Sequence, residues 1–411
     1  MPCSSSPTEI LRAQEVIEDQ RLLAKATQIQ QENERYSCID DDETTPWLKH
    51  TRWPDWFRHR PLDVITATAQ MPNPRALAGF EDFSLGRWQG APLVSPASNE
   101  AKLVLLMQAA DQMFARAEST LRRTPYRLCC WLKSYHRDTF YPKAVDVLHT
   151  QAAYFALWKQ FLCYVFRVLA IRPSQRKRIY GLQLQPDEVR MMEHILSLLD
   201  SVGDQEESQR NAWEGEDVGE YDMESSEDGS SVFDLGSEAD TNVDADSESE
   251  SGEDSDSSFH RQGCIGRGGS SFVLPSRGER RLSEALSQLS MMFWTYRDLT
   301  GDMTSSTLIH FVGVLGIHRH SLAYKSAYNS TPCFSRLIWL GRLFFLEYAL
   351  PLYPYTTLAY PWPARNAYPD QAGRLEEIHT KYLLRGSLGL IAEILELKAF
   401  AKAIVKREGV R

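Results

Sequence analysis

Residues 333–350, "CFSRLIWLGRLFFLEYAL", would form a helix that is apolar on nearly every side. A surface helix carries a single apolar stripe, whereas a helix that is apolar all round lies buried among other elements. The stretch therefore predicts a central helix. Such a helix needs several others around it, so these eighteen residues already indicate a bundle.

Other parts of the chain supply those helices. Apolar residues follow the i, i+3, i+4, i+7 spacing of one helix face in residues 99–123, 144–171 and 186–200, and the pattern returns from residue 279. We find no segment in which apolar and polar side chains alternate as they do in a strand. The fold class that we predict is all-α, a multi-helix bundle in two halves separated by a disordered acidic insertion.

Composition divides the chain into four segments. We predict a charged N-terminal helix in 1–40, a helical half with a Trp-rich entry segment in 41–200, a disordered acidic linker in 201–278, and a second helical half with a strap rich in proline and aromatic residues in 279–411. The linker is rich in Ser, Gly, Asp and Glu, so it buries too little apolar surface to become ordered. The halves are either separate domains or one interrupted bundle, and the several amphipathic helices in each favour one bundle.

Charge is distributed unevenly. The whole chain has a net charge of −10, but residues 200–257 hold 22 acidic residues and a single basic one, Arg210, for a net charge of −21. The rest of the chain therefore carries +11. A basic body joined to an acidic tract suggests a nucleic-acid partner for the body and self-association of opposite charges within the chain.

Three serines of the acidic tract are candidate phosphorylation sites. Ser225, Ser247 and Ser251 each have an acidic residue three positions further on, the pattern that an acidophilic kinase recognises. Phosphorylation would add about −1.5 to −2 charges at each site. The alternative is a plain solvated linker.

Cysteine usage and hydropathy point to an intracellular protein. The seven cysteines are odd in number and contain no C-x-x-C pair, which fits a reducing compartment. The N-terminus has no apolar run typical of a secretory signal. Charged residues and a proline interrupt the longest apolar stretch, 337–353, so we expect no membrane association.

Residues 44–65, "TTPWLKHTRWPDWFRHRPLDVI", mix tryptophans with cations. In one interpretation the aromatic rings stack on bases while the cations contact phosphates. In the other, Pro46 and Pro54 begin short helical turns, and the tryptophans anchor a structural corner with the cations facing water. We favour the corner.

Basic residues of this segment and of "RPSQRKR", 172–178, are the candidate nucleic-acid contacts. The second cluster also resembles a nuclear import signal, which favours the nucleus over the cytoplasm. The residues proposed to contact phosphates are Lys49, Arg52, Arg58, Arg60, Arg172, Arg176, Lys177 and Arg178.

Several segments resemble a family of fungal proteins, the orsellinic-acid-cluster protein D-like group. They are "TTPWLKHTRWPDWFRHRPLDVI", "LCCWLKSYHRDTFYPKAV", "YFALWKQFLCYVFRV" and "FVGVLGIH … FSRLIWLGRLFFLEYALP", so the likeness reaches most of 8–200 and 279–400. The family is often found with mobile-element or telomere-linked RecQ-type helicase sequences. Its members carry a C2H2-type zinc finger that this chain lacks, since residues 1–38 hold two cysteines and no histidine. A nucleic-acid role that depends on that finger does not transfer.

No motif predicts catalysis, a cofactor or a metal ion. The chain has neither a nucleophile-elbow nor a phosphate-loop motif, and His318, His320 and Cys333 do not show the paired spacing of zinc ligands. "TQAAYFALWKQFLCYVFRV" resembles the first long helix of the core-binding domain of tyrosine recombinases, but the H-x-x-R box of that class is absent. We therefore expect a non-enzymatic interaction protein with a DNA or protein partner. The alternative is an inactive or partner-dependent component of a mobile-element recombination system.

Overall fold

A computed structural model describes residues 45–72, 82–136, 141, 143–146, 151–214, 277–296, 306–360, 362–387 and 389–407, with only the backbone described in 202–214. The helix predicted in residues 1–40 and nearly all of the acidic linker lie outside the described residues.

The described chain contains thirteen α-helices and a two-stranded hairpin. The elements before the linker are α1 Pro46–Thr51, α2 Trp53–Trp56, α3 Leu62–Thr68, β1 Phe83–Trp88, β2 Ala91–Ser95, α4 Ala97–Arg122, α5 Tyr126–Lys133, α6 Gln151–Ala170, α7 Pro173–Ile179 and α8 Pro186–Glu214. Those after it are α9 Arg277–Thr295, α10 Thr307–Leu315, α11 Ala327–Ala349, a 3-10 turn Arg365–Ala367, α12 Gln371–Ile378, a π-helical turn His379–Leu383 and α13 Leu390–Arg407. The all-α prediction is confirmed.

Helix α11 contains the stretch 333–350 and occupies the centre. It packs against α4, α6, α9 and α13, and nearly all of its side chains from Leu337 to Glu347 are buried. Gly341 allows the closest approach, because a Cβ there would lie 2.6 Å from Ile391 Cδ1 and 3.0 Å from Trp294. Among the helices that the structure describes, none is long and apolar enough to cross a membrane.

Helices from both sides of the linker share one core. Helix α9 packs along α4, and α11 packs on both α4 and α6. Trp158 of α6 stacks on Trp294 of α9 with ring centroids 5.7 Å apart, and its Nε1 donates to Ser290 Oγ at 3.2 Å. The described helices of the two halves belong to a single compact unit, the arrangement that the helix pattern favoured.

The hairpin of β1 and β2 corrects the expectation that the chain contains no strand. The two strands pair antiparallel around Gln89 and Gly90, whose φ angles of 52° and 80° suit a tight two-residue turn. In β1 only Leu85 is fully buried, so the pattern of apolar and polar side chains is too short to signal a strand. The hairpin packs against α3.

The proline-rich strap, residues 351–370, crosses the helices. Tyr355 and Trp362 pair their backbones, with N–O distances of 2.8 and 3.1 Å, and so close a loop. The carboxylate of Glu284 on α9 anchors this loop: its Oε2 accepts from Thr356 N, Thr357 N and Thr357 Oγ1 at 2.7–2.9 Å.

Candidate nucleic-acid interface

The Trp-rich segment forms two short helical turns at an angle to each other. Thr45 caps α1, its Oγ1 accepting from Leu48 N at 3.3 Å, and Pro46 occupies the first helical position. Arg52 adopts the left-handed conformation, with φ 55°, and this residue separates α1 from α2. The bend sends the tryptophan side chains inwards and the Arg52 side chain outwards.

The aromatic rings of this segment are core residues. Trp47 and Trp53 are 1% exposed and meet edge to face at 5.3 Å. Trp53 lies on Gly316, where a Cβ would approach its ring to 2.1 Å, and Phe57 covers Gly313 in the same way. These three rings therefore offer no face to a base, and the corner interpretation describes them.

Two of the proposed phosphate contacts, Arg60 and Arg176, donate to backbone carbonyls at helix ends. Arg60 donates from Nε to Trp56 O at 2.8 Å and from Nη1 to Lys177 O and Arg178 O at 3.1 and 3.0 Å. Its guanidinium thus satisfies carbonyls at the C-terminal end of α7, where a cation also meets the negative end of the helix dipole. Partial burial lowers the pKa of Arg60.

Arg176 of α7 likewise donates to backbone carbonyls, in its case those at the C-terminal end of α6. Its side chain is buried and donates to Val168 O, Leu169 O and Ile171 O at 2.9–3.2 Å, at the C-terminal end of α6. Burial lowers the pKa of Arg176. Arg60 and Arg176 thus donate to backbone carbonyls at helix ends, and their assignment as nucleic-acid contacts stays a prediction.

The remaining cations differ in availability. Arg58, Arg172, Lys177 and Arg178 are exposed and form no ion pair with any residue that the structure describes. Arg52 is exposed as well, but its Nε lies 3.7 Å from Asp55 Oδ2. Lys49 is half-buried.

Arg60 joins the two basic segments. Its bonds to the carbonyls of residues 177 and 178 bring the 58–60 turn against the end of α7. The backbone next to Arg58 and His59 is therefore close to that of Lys177 and Arg178, and all four residues are exposed. We call these four residues the basic patch. Residues about 120 positions apart in sequence supply it, and Arg172 lies at the opposite end of the seven-residue α7.

A buried polar network holds α7 beneath the patch. Tyr180 OH shares a hydrogen bond with Thr68 Oγ1 at 2.8 Å, and the Tyr180 carbonyl accepts from His310 Nε2 at 2.9 Å. Because Nε2 carries the proton, Nδ1 of His310 accepts from Tyr164 OH at 3.2 Å. Burial lowers the pKa of His310 to about 4, so the ring is neutral at pH 7. The only sequence signal for this residue is a polar side chain inside the apolar run 308–317.

A second buried network fixes α6 to α4. Arg167 pairs bidentately with Glu100 at 2.9 and 2.6 Å, both side chains being 1% exposed, and Arg167 Nη1 also donates to Thr68 O at 2.9 Å. Sequence analysis did not identify this pair, because the two residues are 67 positions apart and each resembles an ordinary surface charge.

The other predicted sites stay predictions or lie elsewhere. Ser225, Ser247 and Ser251 are outside the described residues. His318 is half-buried and His320 exposed, and within the described ranges no three His, Cys, Asp or Glu side chains converge as metal ligands.

Comparison of the chain with protein-family models, with curated proteins and with solved structures finds no match in any of the three. The function of this helical protein is therefore inferred from its own residues.

Proposed function

We propose that this is a non-enzymatic interaction protein that binds nucleic acid through the basic patch. The observation that carries the proposal is the junction made by Arg60, which joins two distant basic segments and leaves Arg58, Lys177 and Arg178 exposed without ion pairs among the described residues. Clustered cations without carboxylate partners attract a phosphate backbone, whose counterions are released on binding.

The buried tryptophans shape the proposal further. Because Trp47, Trp53 and Phe57 are in the core, these three rings cannot stack on bases, and the basic patch contributes charge. Such an interface contacts the backbone and binds with little sequence preference. Nuclear localisation, and membership of the orsellinic-acid-cluster protein D-like family with its mobile-element association, are further parts of the proposal, and they rest on the motifs quoted above.

The test removes three charges from the patch. We expect the R58A/K177A/R178A variant to bind double-stranded DNA at least about tenfold more weakly than the wild type at 50 mM salt. The slope of log K against log salt concentration should become shallower by about 0.9 for each phosphate contact that is lost. Fluorescence anisotropy over a salt series on single- and double-stranded DNA measures both quantities.

A matched control is available on α9. Arg277, Arg280 and Arg281 are also exposed, so R277A/R280A/R281A removes the same charge from another element. The control should keep most of the affinity and the salt slope. An equal loss of DNA affinity in both variants would show that only the net charge matters, which contradicts a specific patch. Absence of DNA binding by the wild type at 50 mM salt would exclude the proposed function.

A further inference from the structure

A small cavity lies between the strap and the helices α4, α9 and α11. Its walls combine aromatic rings, two thioethers and one carboxylate, and they include Met113, Met291, Glu347, Tyr348, Tyr355 and Trp362. The space has a volume of about 10 Å³, enough for one water-sized group. Among the residues that line it, only Tyr348 and Trp362 are half-buried and the others are buried, so solvent reaches the cavity at these two rings.

The carboxylate of Glu347 has one oxygen with donors and one without. Oε1 accepts from Arg116 Nε at 2.9 Å and from Tyr355 OH at 3.0 Å. Oε2 receives no hydrogen bond from any residue that the structure describes, although the residue is only 5% exposed. Enclosing a carboxylate oxygen without a donor costs free energy, and a bound group that donates to it recovers that cost. Because Glu347 lines the cavity, a ligand in the cavity can supply the donor.

The aromatic rings of the cavity form a cluster. Trp362 meets Tyr348 edge to face with 4.5 Å between the ring centroids, and it meets Tyr355 at 5.0 Å. Aromatic rings attract a cation to their faces, more strongly where water is excluded. The ring of Tyr355 already carries the guanidinium of Arg116, whose Cζ lies 3.7 Å from the ring centroid. The cluster thus provides a favourable environment for positive charge.

Two carboxylates and two guanidinium groups surround the cavity. Arg116 lies between Glu347 and Glu284, with its Nη1 3.7 Å from Glu284 Oε1. Arg365 donates to carbonyls at the end of α4; burial lowers the pKa of Arg365, and the charge of Glu347 opposes that decrease. Neither arginine donates to Glu347 Oε2. This oxygen is therefore the acceptor that a ligand would use.

We propose that this cavity binds a primary ammonium group, either that of a free small amine or the end of an alkyl chain. An –NH₃⁺ group is about as large as a water molecule, it can donate an N–H to Glu347 Oε2, and its charge is attracted to the surrounding rings. A quaternary ammonium ion has no N–H to donate and is too large for the space. A metal cation requires several oxygen ligands, whereas rings and thioethers dominate these walls.

Thermal unfolding of the full chain in titrations with methylammonium chloride tests the site. A ligand with two heavy atoms binds at best in the millimolar range, so the titration extends to about 200 mM, with sodium chloride keeping the ionic strength constant. We expect the Tm to rise by about 1–3 °C relative to sodium chloride alone, and not to rise with tetramethylammonium. Absence of any methylammonium effect on the wild type would overturn the proposal.

Two further ligands identify the chemistry that the cavity recognises. Methanol at the same concentration is a neutral donor of similar size and should not raise the Tm; a rise equal to that with methylammonium would reduce the cavity to a water site and contradict the proposal. Butylammonium distinguishes the two sources. A rise with both amines places the end of an alkyl chain in the cavity, and a rise with methylammonium alone restricts the site to the free ion.

Substitutions localise the effect. E347Q keeps an acceptor for Arg116 and Tyr355 but puts an NH₂ donor in the place of Oε2, so it should abolish the methylammonium shift. A117V adds two methyl groups to an uncharged part of the wall and should abolish the shift by filling the space, with the charged network unchanged. E377Q removes a carboxylate that is 68% exposed on α12 and should keep the shift. A shift that persists in E347Q or in A117V contradicts the site.

Discussion

Arg60 and Arg176 show that an arginine in a basic cluster can bond to backbone carbonyls at a helix end. Both lie in basic clusters, which is why they resembled phosphate contacts. In the folded chain their guanidinium groups satisfy carbonyls at the ends of α7 and α6, since the last four carbonyls of a helix have no partner within it. A basic cluster thus contains cations that bond to backbone carbonyls and cations that are exposed to solvent. The fold around each side chain decides to which group it belongs.

Ionisation of His310 opposes the fold. The neutral ring donates to the Tyr180 carbonyl and accepts from Tyr164 OH, so protonation of Nδ1 would break the second bond inside a fully buried network. Burial lowers the pKa of His310 in the folded chain to about 4, against 6.5 for an unperturbed histidine. The unfolded chain therefore binds the proton first as the pH falls.

This difference predicts acid sensitivity. Well above pH 6.5 both states are neutral at this residue, and it contributes no pH dependence. Between pH 7 and pH 5 the free energy of unfolding should fall by about 2 kcal/mol through His310 alone. Urea unfolding of the wild type and of H310Q, which keeps one donor and one acceptor, measures the difference; parallel pH curves for the two proteins would contradict the assignment.

At the scale of elements, the sequence pattern predicts helix α11 but does not predict the hairpin. Helix α11 is apolar over five turns, so its burial was predictable without knowledge of its neighbours. The hairpin is short, and Leu85 is the only residue of β1 that is fully buried. Its turn forms at Gln89 and Gly90, and Gln-Gly is a weaker turn signal than Asn-Gly or Asp-Gly.

The carboxylate of Glu284 attaches the strap to α9, where Tyr355 of the strap also shares a side-chain hydrogen bond with Ser287. Oε2 of Glu284 accepts from two backbone amides and one hydroxyl at Thr356 and Thr357. We expect E284Q to release the strap loop, because an amide oxygen is a weaker acceptor than a carboxylate and the added NH₂ faces donors. Chymotrypsin should then cut after Tyr355, which is 1% exposed in the native chain.

The residues next to Tyr355 make chymotrypsin cleavage a specific test for release of the loop. Tyr353 and Tyr360 are exposed, but Pro354 and Pro361 follow them and block chymotrypsin. E377Q, on the exposed face of α12, is the control and should leave the digestion pattern unchanged. Equal cleavage of the wild type and E284Q after Tyr355 would show that the carboxylate does not hold the loop.

At the scale of the whole molecule, the residues that form the helical core and the residues that carry most of the negative charge lie in different parts of the chain. Helices from both halves form one unit, and the acidic residues are concentrated between them in sequence. Residues 216–256 contain 17 acidic residues and no basic one. We propose that this tract competes with nucleic acid for the basic patch, because linkage in one chain gives opposite charges a high effective concentration.

Deleting residues 215–270 tests this competition while keeping α8 to its last residue, Glu214. We expect DNA affinity at 50 mM salt to rise several-fold, and the gain to shrink at 300 mM salt as the charges are screened. Replacing the segment with a Gly/Ser linker of equal length controls for chain connectivity. Unchanged affinity in both variants would exclude autoinhibition by the tract.

The sequence alone determined the helical class, the central helix and the division of charge, because hydrophobic periodicity and composition are local properties of the chain. Which cations are available was decided by the tertiary structure. Arg58 is exposed, Arg60 donates to carbonyls at the end of a helix, and Arg342 is buried in the central helix, although all three are arginines in apolar and aromatic surroundings. Burial and hydrogen bonding depend on residues far away in sequence, so only the folded chain separates these three environments.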